Sequence, residues 1–426
     1  MTVLIFIGSL LGTMMLGMPI AYALLASGAA LMLHLGLFDA QILAQNFTNG
    51  ADSFPLLAVP FFMLAGEVMN VGGLSRRIVN FALALVGHYK GGLGYVAILA
   101  ACLLSALSGS AVADAAALTA LLLPMMVKAG HSKETSGGLI AASGVIGPII
   151  PPSIGFVIFG VAADVSISKL FIAGIFPGLL IGLALAITWW LVSGKQQHET
   201  PAKKSRSEVI AAARDSLWAL MLPVIILVGL RMGVFTPTEA AVVAAVYALF
   251  VSIVVYQELP LNRLPGLFTA AAKTTAVVMF LVAAAMVSSW LITVAELPAA
   301  VVSMLEPFLS NQTALLIAIM VLVMVVGTAM DMTPTILILT PVLMPVIKAA
   351  GIDPVYFGVL FLINNSIGLI SPPVGTVLNV VAGVGRMKMD EVIKGVWPFM
   401  VAEFVVMFLM VLFPGLVLIP ARWLAG

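Results

Sequence analysis

Two apolar stretches, far apart in this chain, each carry a Pro-Pro pair: GPIIPPSIG at 147–155 and GLISPPVGT at 368–376. The register that lays Pro151 on Pro372 also lays Pro124 of LLLPMMVKAG on Pro345 of VLMPVIKAAG, and Gly130 on Gly351, so the two belong to an ungapped internal repeat. Proline removes a backbone donor and clashes with an earlier carbonyl. The surroundings offer the freed groups little water, because 62% of the 426 residues are hydrophobic and only 9% are charged. Many apolar runs reach the roughly 20 residues that a spanning helix needs. In lipid a freed carbonyl must find protein, an ion or cavity water. Helix breakers in register at membrane depth therefore point to a secondary transporter, with the transport site at the breaks.

The pattern predicts an all-α integral membrane protein. Apolar segments begin near residues 3, 20, 55, 93, 110, 136, 169, 214, 236, 267, 311, 332, 354 and 396. Span length alone suggests about 11 to 13 crossings plus two re-entrant hairpins with broken helices. The clearly hydrophilic stretch is 194–216, with Lys195, Lys203, Lys204, Arg206 and Arg214, and it divides the chain into halves 1–193 and 217–426. A short basic loop between spans belongs on the cytoplasmic side, as does the cluster Arg386, Lys388 and Lys394. Arg76, Arg77 and Lys90 flank IVNFALALVGHY, which reads as an arm helix lying along the interface. Thr236, Pro237 and Glu239 have the spacing of a capped helix start.

Several classes are set aside. A net charge of +1 offers no field for nucleic acid. The single Cys102 rules out a disulfide framework within the chain. The N-terminus lacks the basic start of a secretory signal and reads as a retained membrane segment. His34, His88, His131 and His198 show no metal spacing, and the methionines form no soft-metal motif. Trp189, Trp190, Trp397 and Trp423 fall near span ends, as an aromatic belt would place them. Glu67 and Glu296 read as intramembrane acids outside the breaks. No Walker motif occurs, and nothing points to an enzyme.

Four polar interruptions carry the chemistry. In the first hairpin candidate, 105–124, Ser105, Ser108, Gly109 and Ser110 interrupt an apolar run and Asp114 follows. Glycine permits a turn, hydroxyls are hard oxygen ligands, and an acid in the membrane is costly unless it is used. The counterpart, 327–345, lays Asp331 on Ser110 and Thr335 on Asp114, moving the acid by one helical turn. Ser108, Ser110, Asp331, Thr333 and Thr335 are expected to line one substrate site, where half-helix N-termini favour an anion. Thr376 and Asn379, just past the second break, join that set. At the breaks themselves, unwound backbone presents carbonyls to a cation: Gly147, Ile150 and Pro152 in one half, Gly368, Ser371 and Val374 in the other.

These residues resemble the large membrane subunit of the tripartite ATP-independent periplasmic (TRAP) transporters. The likeness covers essentially the whole chain and is carried by PFFMLAGEVMN…GGLSRRI (60–78), LSGSAVADAAA (107–117), GPIIPPSI (147–154), FTPTEA (235–240), MDMTPTILILTPVLMP (330–345) and GLISPPVGTVLN (368–379). In character the chain looks most like members moving sugar acids such as diketogulonate. The resemblance implies two inverted structural repeats and an elevator-type transport domain on a fixed scaffold. It implies a small four-helix membrane partner, a periplasmic substrate-binding protein, Na⁺ coupling and a place in the bacterial inner membrane. The family's first sodium site carries over onto Ser105, Ser108, Gly147, Ile150 and Pro152, and its second onto Gly327, Gly368, Ser371 and Val374. Many relatives have Thr at one or both polar positions of the Gly368-Leu-Ile-Ser371 stretch; Gly368 offers backbone only.

The expected function is Na⁺-coupled import of an organic anion, a sugar acid or a dicarboxylate-like molecule. The alternative is a multi-pass ion channel, which would need a pore-lining ring from several subunits. A two-fold internal repeat with displaced acids argues for alternating access instead. An aspartyl enzyme built on Asp114 and Asp331 would need both carboxylates in matched settings, and these are out of register. No Arg lies in the four interruptions to clamp a carboxylate.

Overall fold

The computed structural model describes residues 2–193, 202–296, 299, 301–303, 309 and 311–425. Every regular element among them is helical. The first half holds α1 (Thr2–Met15), α2 (Ile20–Leu35), α3 (Ala40–Ala51), α4 (Ala58–Val71), α5 (Leu74–Val86), α6 (Gly92–Ser108), α7 (Ala111–Lys128), α8 (Lys133–Gly144), α9 (Ile154–Ala163) and α10 (Ile167–Ser193). There follow α11 (Arg206–Arg231), α12 (Pro237–Phe250), α13 (Leu264–Val294), α14 (Gln312–Gly327), α15 (Met332–Ala349), α16 (Pro354–Gly368), α17 (Thr376–Gly385), α18 (Met389–Leu412) and α19 (Gly415–Ala425). Among the described residues eight helical stretches are long and apolar enough to cross a membrane, and the chain is a multi-pass protein.

Local chemistry sets the helix ends. Thr236 and Glu239 form the expected capping box, each side chain taking the other's backbone N–H, with Pro237 at the first helical position. Ser205 and Glu208 form another. That second box starts α11 at Arg206, so residues 206–216 of the stretch expected as a polar loop are helical. Lys195 and His198 lie outside the described residues. Trp189 is a second correction: it is 1% exposed and its indole Nε1 donates to the Gly91 carbonyl at 2.8 Å, so it is buried among helices rather than seated in an aromatic belt. Trp190, Trp397 and Trp423 are exposed as expected. Glu296 is exposed in the turn after α13, at φ 52°.

Helices α6 and α7 form a hairpin whose two ends meet. A methyl on Gly91, before α6, would lie 2.8 Å from Ser193 Oγ, and His131, past α7, sits with its ring 5.3 Å from that of Trp189. Helices α14 and α15 form the second hairpin, closed at its base by Gln312 Nε2 donating to the Ala350 carbonyl at 2.8 Å. The bases lie at opposite ends of α18. Lys133 Nζ, just past the first hairpin, donates to the Arg386 carbonyl before α18, while Tyr356 Oη, just past the second, donates to the Met410 carbonyl at its far end. Packing between the halves is reciprocal: α7 contacts α17 as α15 contacts α9, and α8 contacts α18 as α16 contacts α10. Helix α13 packs on α2, α3 and α4 and also on α15 of the second hairpin, and α12 packs on α4.

The arm helix α5 packs on α6 and α11. Arg77 bridges Asp215 of α11 at 3.2 Å and Glu258 at 2.6 Å, with its guanidinium 3.7 Å over the Tyr256 ring, and Arg76 also binds Glu258 at 2.8 Å. Burial pushes the Tyr256 phenol above its ordinary range, against the opposing effect of the Arg77 cation.

Candidate functional site

Each hairpin turn is pressed against the break of its own half. In the first half the turn is Ser108-Gly109-Ser110, with Gly109 left-handed at φ 60°. A side chain on Gly109 would strike the Pro152 carbonyl at 2.5 Å, and one on Gly147 would come within 3.0 Å of the Ala111 backbone nitrogen. In the second half a methyl on Gly368 would lie 2.9 Å from the Gly327 carbonyl oxygen. Only glycine allows backbones this close.

The breaks span residues 145–153 and 369–375, and both Pro151–Pro152 and Pro372–Pro373 are cis. A continuing helix would pair the Gly147 and Pro148 carbonyls with residues 151 and 152, which are prolines without N–H. Pro148 is served by the Ser153 hydroxyl at 2.6 Å; the carbonyls of Gly147, Ile150 and Pro152 accept nothing among the described residues. Ile150 turns its side chain onto Gly178 of α10, so only its carbonyl is available to the site. The second break is more self-contained. The Gly368 carbonyl accepts from Ser371 N at 3.0 Å, and the Val374 carbonyl from Asn379 Nδ2 at 2.7 Å. Each keeps a second lone pair.

The hydroxyls follow the same logic. Ser108 Oγ donates to Asp114 Oδ1 at 2.5 Å and accepts from Ser110 N, while Ser110 Oγ caps α7 through Ala113 N. Ser105 and Ser371, both buried, donate to the carbonyls of Ala101 and Ile367, leaving their lone pairs free. Asp331 stands at the N-cap of α15, as Ser110 does for α7, but makes no cap bond.

The two tips meet across the first break. Gly109 touches Pro152 and Ser153, and a methyl on Gly155, just beyond, would lie 2.9 Å from Met332 Sδ in the second tip. Asp331 and Thr333 sit at this junction, with Thr376 Oγ1 3.4 Å from Asp331 Oδ1. Thr335 does not join them: it is fully buried and its hydroxyl is spent on the Asp331 carbonyl. Asn379 is turned back onto the break it follows. Beside Ser110 a cavity of about 780 Å³ runs along α7, walled also by Glu67, Asn70, Arg76 and Glu258. Among the described residues no group of three or more His, Cys, Asp and Glu could hold a metal ion; the oxygens gathered at the breaks are carbonyls and hydroxyls, which suit a hard cation.

Sequence reading missed Asn364 and Asn365, both fully buried in α16. Asn364 Nδ2 donates to the Met320 carbonyl and Asn365 Nδ2 to the Met332 carbonyl, stitching α16 to both arms of the second hairpin. The signal was there: two amides side by side in an apolar run just before a break.

Residues 7–416 match the family described as "Tripartite ATP-independent periplasmic transporter, DctM component". The 2,3-diketo-L-gulonate TRAP transporter large permease protein of Escherichia coli is 55% identical, with all of both chains covered. The sialic acid TRAP transporter large permease protein of Vibrio cholerae is 40% identical over 96% of each chain. The fold is similar to that of the YdaH transporter of Alcanivorax borkumensis, with a TM-score of 0.67, 16% identity and coverage of 92% of this chain and 91% of the other.

Proposed function

This chain belongs to the DctM-component family of tripartite ATP-independent periplasmic transporters, and we propose that it imports an organic anion of the sugar-acid class across the inner membrane, driven by a Na⁺ gradient. The observation that carries the reading is the pair of turn-on-break contacts, Gly109 on Pro152 and Gly327 on Gly368, one in each half. Helix polarity supplies the chemistry. The C-terminal ends of α6, α8, α14 and α16 run into these contacts and bring carbonyl oxygen, which favours a cation. The N-terminal ends of α7, α9, α15 and α17 leave them and bring N–H groups, which favour an anion. Cation and anion are thus bound by opposite faces of the same junctions, and filling the cation sites firms the tips that face the substrate.

Ser105, Ser108, Gly147, Ile150 and Pro152 would hold one Na⁺, and Gly327, Gly368, Ser371 and Val374 the other. Ser108, Ser110, Asp331, Thr333 and Thr376 would face the substrate. Reciprocal packing of the halves and the opposed hairpin bases support inverted repeats, and the packing of α13 with α2, α3 and α4 supports a scaffold that meets the second hairpin through α15 and against which the rest moves as an elevator. A small membrane subunit and a periplasmic binding protein complete the system. The test is uptake into proteoliposomes holding all three components, across a panel of sugar acids including 2,3-diketo-L-gulonate. Uptake confined to an imposed Na⁺ gradient supports the reading; uptake that follows a proton gradient in sodium-free buffer contradicts it.

A further inference from the structure

The cavity beside Ser110 does not end on α7. Beyond it lies a second cavity of about 570 Å³, and Ala120 and Val384 wall both. Together they follow one face of α7: Ala113, Ala117 and Ala120 line the first, and Pro124, Val127 and Lys128 the second. Steps of three and four residues keep these positions on one side of a helix. From Ser110 to Lys128, at about 1.5 Å per residue, that face is about 27 Å long. Its upper stretch is mostly alanine, which offers an anion neither a polar group to hold it nor a bulky one to stop it.

The charges along this face are divided unevenly. The first cavity is walled by Glu67, Arg76 and Glu258, and Glu258 is held by Arg76 and Arg77. The second is walled by Lys128, Lys133 and Arg386, and no Asp or Glu lines it among the described residues. The three cations come from the end of α7, the start of α8 and the turn between α17 and α18. A lysine at a helix C-terminus and basic residues at one membrane face are each ordinary. Neither accounts for three cations converging on one cavity that continues from the tips. All three residues are exposed, and an exposed cation binds an anion only weakly, which suits a site that must release what it receives. We propose that this cavity is a second carboxylate site: Lys128, Lys133 and Arg386 receive the sugar acid once it leaves the tips, which carry no Arg of their own, and pass it to the cytoplasm. The proposal rests on the anion-import reading above.

The first test needs no transport. Val384 is 45% exposed and walls both cavities, so Val384→Cys, with the chain's single cysteine removed by Cys102→Ala, puts a thiol at their junction. In nanodiscs of zwitterionic lipid, with Na⁺ present, its rates of modification by an anionic and a cationic methanethiosulfonate are compared, each relative to a free thiol in solution. The anionic reagent is expected to be favoured about tenfold, and less as salt is raised. The preference is expected to vanish when Lys128→Gln, Lys133→Gln and Arg386→Asn are combined; asparagine tolerates the left-handed backbone of Arg386, at φ 48°. Lys133 also donates to the Arg386 carbonyl, so the pair Lys128→Gln and Arg386→Asn is made as well, should the triple variant fail to fold, and is expected to lose most of the preference. Equal rates in the parent, or an unchanged preference in the variants, would overturn the site. Excess 2,3-diketo-L-gulonate is expected to slow modification of the parent, and the absence of protection would overturn the substrate assignment. A preference abolished by adding phosphatidylglycerol would overturn it too, assigning the cations to a lipid headgroup. In proteoliposomes with all three components, the triple variant is expected to slow uptake severalfold at an unchanged half-saturating Na⁺ concentration, with Lys394→Gln as the basic-residue control. Uptake as fast as the parent's would overturn the exit route. A parent that shows the preference and the protection but no uptake would overturn the import reading while supporting the carboxylate site.

Discussion

Thr376 Oγ1 stands 3.4 Å from Asp331 Oδ1, joining the first residue beyond the second break to the cap of the second tip helix. The carboxylate is exposed, makes no cap bond and sits where the two tips converge. Asp331→Asn is expected to cripple uptake, while Glu67→Gln, on the wall of the cavity beside Ser110, is expected to be mild. Initial uptake rates of the two variants at matched reconstitution levels decide this. Equal, small defects would place the site elsewhere.

Ser108→Ala and Ser371→Ala each remove one hydroxyl, one per half. A lost polar ligand costs about 1–3 kcal/mol, and each 1.4 kcal/mol is roughly tenfold in binding. Each variant is expected to raise the Na⁺ concentration for half-maximal uptake, and the double variant to combine both shifts. Normal Na⁺ dependence in both would mean that backbone carbonyls alone hold the ions.

Gly147→Ala and Gly368→Ala attack the contacts sterically. The new methyl would meet Asp114 Oδ2 at 2.8 Å in one case and the Gly327 backbone at 2.9 Å in the other. At Gly147 the backbone of Ser110 and Ala111 also lies within 3.0 Å, and at Gly368 the neighbours are all backbone, so the turn must lift from the break. Both variants are expected to insert into the membrane but to lose most uptake. Gly383→Ala, with nothing within 4 Å, is the control and is expected to transport normally.

The hairpins and breaks are legible in the sequence because they are written in residues that act locally. Proline withholds a donor, glycine permits a turn, and both recur in register, so the amino-acid order alone places Ser108–Ser110 and Pro151–Pro152 at the interruptions. Ser110 and Asp331, aligned by the repeat, do occupy the same N-cap position. What stays hidden depends on distant partners. The Arg77–Asp215 pair joins residues 138 apart in the chain, and nothing local marks either as the other's partner. Trp189 reads as a belt residue because it lies near a span end, yet its acceptor is Gly91, a turn before α6. Thr335 keeps its register but turns inward, since a threonine on a helix readily bonds the carbonyl one turn back.

Arg77→Ala removes two ion pairs and the stacking on Tyr256 at once. Its side chain is 14% exposed, although Asp215 is 58% exposed and that pair is weak. The summed effect is expected to be about 1–2 kcal/mol of stability. It should appear as a lower thermal midpoint, with Na⁺ affinity unchanged because, among the described residues, Arg77 makes no contact with either break. A shift in Na⁺ affinity would mean that the arm is coupled to the sites.

The central claim is that two cation sites at turn-on-break contacts drive anion import. The most direct measurement is the initial rate of labelled 2,3-diketo-L-gulonate uptake into proteoliposomes with binding protein and small subunit present, as external Na⁺ is varied at fixed pH and clamped membrane potential. The expected result is no uptake without Na⁺ and a sigmoidal rise with a Hill coefficient above one, reduced toward one when either Ser108 or Ser371 is replaced by Ala. A hyperbolic rise unaffected by both replacements, or full uptake without Na⁺, would contradict it.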